Sequence, residues 1–347
     1  MKQLKLFISL LVFSLIPLNA IDYTENNETQ AFIKMMYKNF NYKQAYLHKL
    51  FKKVRKNPID SQKRTKKIVK PLSEEYRPQG SWDIFSRMHL ENNKTKLGIK
   101  FMEEHKETLK KAYKKYGVQA EYITAIIGIE SHYGKNRGIY YVFDALTQLA
   151  FGNNKRKKFY QYQLQEFLRM CFREQVEPRA IKGSKSGAIG LAQFMPSNYQ
   201  LLAVDFNNDG KIRISQPIDA IGSIANYFKE NGWKKDEPVG VRVAYEGNRF
   251  YGLKTGLKYK YERKYLPNIY PKQGTFNYNK KVMLIKLERE KYDELWYGTD
   301  NFYVITRYNH SDYYAMAVHQ LAKKIKIGYS KKYLHTNKKN LYASTIK

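Results

Sequence analysis

The stretch Gly183-Ser-Lys-Ser-Gly-Ala-Ile-Gly-Leu-Ala-Gln-Phe-Met-Pro-Ser-Asn-Tyr199 decides how the rest of the chain is read. Glycine is entropically costly in a folded segment unless its missing Cβ is needed, and Gly183, Gly187 and Gly190 lie close together here. Around them the segment presents a hydroxyl at Ser184, an amide at Gln193 and a ring at Phe194. This pattern predicts backbone drawn close to a ligand rather than into a core. Upstream, Tyr122 to Tyr133 predicts a helix in which Ile123, Ile126, Ile127 and Glu130 share one face. Glu130 is the one charged residue between those two tyrosines. A carboxyl on an apolar stripe is poorly hydrated, which raises its pKa, and a general acid needs that to stay protonated near neutral pH. The competing reading is a core glutamate satisfied by an arginine or by backbone donors.

The composition bounds the setting. The 347 residues, 43% of them hydrophobic, suffice for two or three structural units. Lys2 and Lys5 precede an uncharged run from Leu6 to Leu18 with Ala20 after it, the layout of a Sec signal peptide over 1–20. The run falls short of the ~20 residues a membrane span needs, and an uncleaved anchor is the alternative. Cys171 is the only cysteine, so neither an internal disulfide nor a lipid-attachment cysteine at the leader is available. Cys171 itself fits a core position beside Leu168 and Phe172. These features predict export to a periplasm as a protein that is not a lipoprotein. Net charge is +32, and removing the two leader lysines leaves +30. Such an excess favours a polyanionic partner, or reflects a compositional bias toward Lys, Asn, Tyr and Ile. Export argues against nucleic acid as that partner.

Hydrophobic spacing predicts helices over 28–56, 86–116, 121–133, 159–176 and 312–327. The basic run Lys63–Lys70, followed by Pro71, Pro78 and Gly80, reads as an exposed connection. Val239, Val241 and Val243 alternate with smaller or polar residues, and Val282, Leu284, Ile285 and Leu287 form a second strand-like run, which predicts a β-rich insertion over 238–299. The expected class is mainly α with a small β-rich region. A helical N-terminal region spans 21–100, a core 101–237, a C-terminal return 300–328, and 329–347 reads as a basic disordered tail.

Ala-Ile-Ile-Gly-Ile-Glu-Ser-His-Tyr-Gly (125–134) resembles the catalytic-glutamate motif of the lytic murein transglycosylase B family, with Ser131 in place of the usual Thr. Lys182–Ser197, Val204–Ile212, Asp219–Phe228 and Asn301–Ser311 are similar to further motifs of that family, in the same order. The resemblance is weak over 21–80 and absent after about residue 328. It implies a lysozyme-like core with Glu130 as acid and base beside a groove. Ser184, Gln193, Phe194, Tyr308 and Asn309 would line that groove, and Tyr227 and Tyr314 would offer aromatic surface to sugar rings. It also implies a lytic transglycosylase acting on peptidoglycan glycan strands, as a monomer, with cell-wall synthases or scaffolds as further partners. Hydrolytic glycosidases pair two carboxylates; the nearest second one, Asp144, reads as a helix-start residue. A hydrolytic muramidase and a non-catalytic peptidoglycan-binding scaffold are the alternatives.

Asp205, Asn207 and Asp209 occupy positions 1, 3 and 5 of an EF-hand-like loop, with Gly210 at position 6 and the Lys211 carbonyl at 7. Position 12 is Gln216 rather than Glu, and the resemblance implies that Asp219 closes the site. A structural calcium is the expectation and an Asx-rich turn the alternative; no cofactor is expected for catalysis. The segment Gly128–Lys135 is one residue too long for a phosphate loop, and no His-Glu-x-x-His occurs.

Overall fold

Buried helix faces and one small sheet account for the architecture. The computed structural model describes residues 20–56, 77–246 and 252–344; the expected leader up to Asn19 and the run Lys63–Lys70 lie outside the described residues. Helix α1 (Asn27–Phe40) starts at Asn26, whose side chain accepts from Thr29 N, and stops at Asn41, where φ is 56°. Helix α2 (Gln44–Phe51) follows, and the two-residue strands β1 (Ala20–Ile21) and β2 (Val54–Arg55) pair beside them. The single helix expected over 28–56 is therefore broken by a left-handed Asn. Likewise 86–116 divides into α3 (Ser81–His89), α4 (Asn92–Glu104) and α5 (Lys106–Tyr116). The bend at His105 lets Phe101 and Met102 on one side, and Leu109 and Ala112 on the other, reach the same core.

Helix α6 (Ala120–Ser131) is buried from Glu121 to Gly128 on every side, not along one stripe. Such a helix belongs at the centre of a domain. Around it the chain continues through β3 (Tyr140–Tyr141), α7 (Val142–Phe151), α8 (Lys157–Glu174), β4 (Lys182–Gly183), α9 (Pro196–Leu202) and α10 (Pro217–Glu230). Strands β5 (Gly240–Tyr245), β6 (Lys260–Tyr261), β7 (Ile269–Pro271), β8 (Val282–Glu288) and β9 (Asp293–Gly298) form an antiparallel sheet in the order β6-β8-β9-β5-β7. Helices α11 (Asp300–Tyr308) and α12 (Asp312–Ser344) return to the core. The expected disordered tail from 329 is instead a continuation of α12 to Ser344, and no Gly or Pro interrupts the chain after Gly328.

Strand β8 shows how the sheet attaches. Met283, Ile285 and Leu287 belong to the main helical core, whereas Val282 and Leu284 belong to a second cluster with Val243, Leu295 and Tyr297. Alternate side chains on a strand point to opposite faces, so one strand serves two cores. Cys171 is buried, as expected.

The start of α12 is fixed by a polar cluster. Both terminal guanidinium nitrogens of Arg77 reach the Asp312 carboxylate, with side chains only 7% and 4% exposed. Next to it, the Tyr313 hydroxyl lies 2.8 Å from Ser81 Oγ and meets the Glu288 carboxylate, joining α3, β8 and α12. Removing one member of a buried pair strands the other charge. Asp312→Ala should therefore cost about 3–5 kcal/mol in urea unfolding, and an Arg77→Met/Asp312→Leu double variant should recover most of that loss.

Candidate active site

Glu130 occupies the last turn of α6. At this helix end the residue is half-buried, while the helix behind it is buried from Glu121 to Gly128. The Tyr314 hydroxyl donates to Glu130 Oε1 at 2.6 Å. Burial pushes the Glu130 pKa up to about 7, and the Tyr314 hydrogen bond offsets part of that rise by favouring the carboxylate. Among the described residues no cation forms an ion pair with Glu130, so the reading of a glutamate neutralised by a core arginine does not describe it.

The glycine-rich segment folds into a compact hairpin beside this helix end. Ser184 N donates to Ala188 O at 2.8 Å, and Ile189 and Phe194 exchange backbone hydrogen bonds of 2.9 and 3.1 Å. Its glycines are required by close protein packing. A Cβ on Gly183 would lie 2.2 Å from Ala188 O, and one on Gly187 would lie 2.4 Å from Leu146 Cδ2. At Gly190, φ is 74° and a Cβ would lie 2.4 Å from Ile214 O. The Ser184 hydroxyl accepts from Ala188 N at 3.0 Å and shapes this turn. Gln193 has a left-handed φ of 47°, and its Nε2 donates to Gly190 O at 2.9 Å and Arg137 O at 3.2 Å.

The aromatic residues divide differently from the expectation. Phe194, Tyr227 and Tyr314 are buried, at 1%, 6% and 4% exposure, and cannot present open ring faces to a sugar. Phe194, Tyr227 and Tyr308 instead pack as a cluster of mutually tilted rings with centroids 4.7–5.9 Å apart. Tyr227 donates to Arg307 O and Tyr308 donates to Ala192 O at 2.6 Å, tying α10 to α11 and α11 to the hairpin. Burial raises the pKa of Tyr308 and Tyr314, and the nearby Glu130 charge adds to it. Glu130, Tyr308, Tyr314 and Tyr227 thus form one group. Asn309 is exposed at the C-cap of α11. Sequence reading missed the direct bond from Tyr314 to Glu130; the adjacent Tyr313-Tyr314 in an apolar helix was its only local trace.

Asp144 is fully buried in the first turn of α7 between Arg179 at 3.4 Å and Arg55 at 3.9 Å. It serves as a structural anion. The loop 205–219 is held by its own acids. Asp205 accepts from Asp209 N and Gly210 N, and Asp209 pairs with Arg213. Buried Asp219 accepts from Phe206 N at 2.9 Å and Arg213 N at 2.7 Å, so it closes the loop through backbone hydrogen bonds. Among the described residues no cluster of three or more acidic, His or Cys side chains is arranged as a metal site. The donor chemistry still fits a hard cation: Asp205, Asn207 and Asp209 offer oxygens two residues apart, and Gly210, at φ 84°, makes the sharp turn with nothing within 4 Å of its Cβ position.

Residues 24–323 match the transglycosylase SLT domain. The membrane-bound lytic murein transglycosylase B of Escherichia coli (strain K12) is 35% identical over 311 residues, covering 88% of this chain and 84% of that protein. The Escherichia coli lytic transglycosylase Slt35, solved in complex with bulgecin A and also with calcium, superposes with a TM-score of 0.80 at 33% identity, over 90% of this chain and 96% of that one. SltB3 from Pseudomonas aeruginosa, in complex with NAG-anhNAM-pentapeptide, gives a TM-score of 0.75 at 25% identity, over 88% of this chain and 80% of that one. A buried helix ending in a hydrogen-bonded glutamate, within a fold shared along nearly the whole chain, places this protein: it belongs to the lytic murein transglycosylases of the SLT-domain family.

Proposed function

We propose that this chain cleaves the β-1,4 bond between N-acetylmuramic acid and N-acetylglucosamine in peptidoglycan, with Glu130 acting first as acid and then as base. The observation that carries the reading is the poorly hydrated, hydrogen-bonded carboxyl of Glu130, which bears no paired cation and has a pKa up to about 7. Its proton passes to the glycosidic oxygen as the C1–O4 bond breaks. The C6 hydroxyl of the same muramic residue then bonds to C1, and its proton passes to the Glu130 carboxylate. A 1,6-anhydro ring forms, no water is consumed, and the enzyme ends in its starting protonation state. Intramolecular attack of this kind draws on effective molarity, which can lower the barrier by ~7–11 kcal/mol. One carboxyl suffices, consistent with Asp144 being occupied by two arginines. The pairing of SltB3 with a ligand named for an anhydro-muramic unit supports this route.

Gln193 and Asn309 are the polar groups we assign to substrate contact, with Ser184, Phe194, Tyr227 and Tyr308 shaping the cleft from behind. The layout from Lys2 to Ala20 supports export to the periplasm, and no described helix is long and apolar enough to cross a membrane. Asp205, Asn207, Asp209 and the Lys211 carbonyl would hold a calcium, as the calcium complex of Slt35 suggests. Such an ion supplies loop rigidity rather than chemistry, and Arg213 would have to leave Asp209 to admit it.

Digestion of purified sacculi should release muropeptides lighter by one water than their reducing-end counterparts, and Glu130→Gln should release none while still binding the sacculi. Turnover by Glu130→Gln would remove Glu130 from the acid role, and reducing ends would favour hydrolysis. Activity should fall as pH rises through about 7, because the proton to be donated is lost. Tyr314→Phe removes a bond that favours the carboxylate, so its alkaline limb should move to higher pH.

The same group costs stability. The folded pKa of Glu130 lies above its ordinary value, so the folded protein binds more protons than the unfolded chain between about pH 4.5 and 7. Stability is therefore lost as pH rises through that window. Glu130→Gln should unfold at higher urea than the parent at pH 8, by about 2–3 kcal/mol, and match it near pH 4. Calcium should raise the thermal midpoint of the parent protein but not that of Asp209→Ala.

A further inference from the structure

Helix α6 ends in an unusual way immediately after Glu130. Three consecutive residues have left-handed backbone: His132 at φ 50°, Tyr133 at 57° and Gly134 at 86°. A side chain makes that conformation unfavourable by roughly 1–2 kcal/mol per residue, so His132 and Tyr133 must be held there by their surroundings. His132 N and Tyr133 N both turn back to Ile127 O, the latter at 3.3 Å. Ser131 reinforces the turn: its hydroxyl donates to Ile127 O at 3.1 Å and accepts from Gly134 N at 3.2 Å.

The Tyr133 side chain runs back into a slot between α6 and α4. A Cβ on Gly128 would lie 2.5 Å from Tyr133 Oη and 2.6 Å from its Cζ, and a Cβ on Gly98 would lie 2.5 Å from the same Oη. The ring centroid sits 5.7 Å from that of Phe101. Its hydroxyl is buried and finds no hydrogen-bond partner among the described residues. The ring is therefore retained by shape, in a space that two helices leave by having glycine at the contact.

We propose that Tyr133 is the positioning residue for Glu130: its ring, keyed between Gly98 and Gly128, locks the left-handed turn so that the last turn of α6 cannot unwind and the carboxyl stays under Tyr314. The inference rests on the reading of Glu130 as the acid. It differs from a general packing role in what it predicts for the chemistry. A loosened helix end admits water to the carboxyl and spreads its orientations, so turnover and its pH dependence change while glycan binding does not.

The test compares steady-state digestion of soluble glycan strands by the parent, Tyr133→Phe, Tyr133→Ala, Gly128→Ala and the Gly128→Ala/Tyr133→Ala double variant, each normalised to folded protein by circular dichroism. Tyr133→Phe keeps the ring and should stay within about 3-fold of the parent in kcat with the same alkaline limb, whereas Tyr133→Ala should lose at least about 10-fold in kcat, since ångström-scale misplacement is costly. Its KM should change little, and its alkaline limb should move to lower pH. Gly128→Ala, whose methyl displaces the ring, should resemble Tyr133→Ala, and the double variant should be no worse than Tyr133→Ala alone. A parent-like kcat and pH limb for Tyr133→Ala overturns the proposal, as does an equal loss in Tyr133→Phe. Should Tyr133→Ala fail to fold, the contrast between Gly128→Ala and Tyr133→Phe decides by the same criteria. Glu130→Gln run alongside separates the two readings: if it is inactive while Tyr133→Ala is parent-like, positioning alone fails, and if it turns over, the acid assignment fails.

Discussion

A carboxyl group held in poorly hydrated surroundings at the exit of a wholly buried helix is the constraint on which the rest of this structure depends. Water favours the charged form of a glutamate, so keeping it protonated near neutral pH requires the protein to withhold solvent. Helix α6 does so by being buried on all sides, enclosed by α4, α5, α10 and α12. Only Ile129 and Glu130, in its last turn, and Ala120 at its start are half-buried. The buried first turns of α12 supply Tyr314 from 184 residues away in sequence. One hydrogen bond joins the two helices at Glu130. The Arg77–Asp312 pair and the Tyr313–Glu288 contact just upstream fix where α12 begins, and so where Tyr314 points.

What could be read in the sequence follows the range of the physics involved. The apolar spacing around Glu130 is local, and so is the strand-like run of β8; each predicted its element, whereas the glycines of 183–190 predicted close backbone approach without the hairpin they form. Helix breaks were harder, because Asn41 and His105 end helices through single backbone conformations that composition does not reveal. The buried state of Phe194 and Tyr227 was not legible either, since a ring seated on another ring and a ring facing a sugar look identical in one dimension. The same holds for Asp219, whose carboxylate closes its loop through two backbone amides rather than standing open to an ion. The resemblance of motifs placed Tyr314 in the site, but its role as donor to Glu130 needed the third dimension.

Two buried carboxyls in one core show how environment selects a role. Asp144 and Glu130 both sit on apolar helices, and burial pushes both pKa values up. Arg179 and Arg55 then stabilise the Asp144 charge, and it joins α7 to the segments carrying those arginines. Among the described residues Glu130 has a tyrosine hydroxyl as its hydrogen-bond partner, which orients the group without supplying a full charge. In a chain with 63 lysines and arginines the absence of a cation beside Glu130, among the described residues, is itself an organised feature. An arginine in place of Tyr314 would hold the carboxylate ionised and leave no proton to give. Burial, with no cation paired to it among the described residues, favours the neutral form of Glu130.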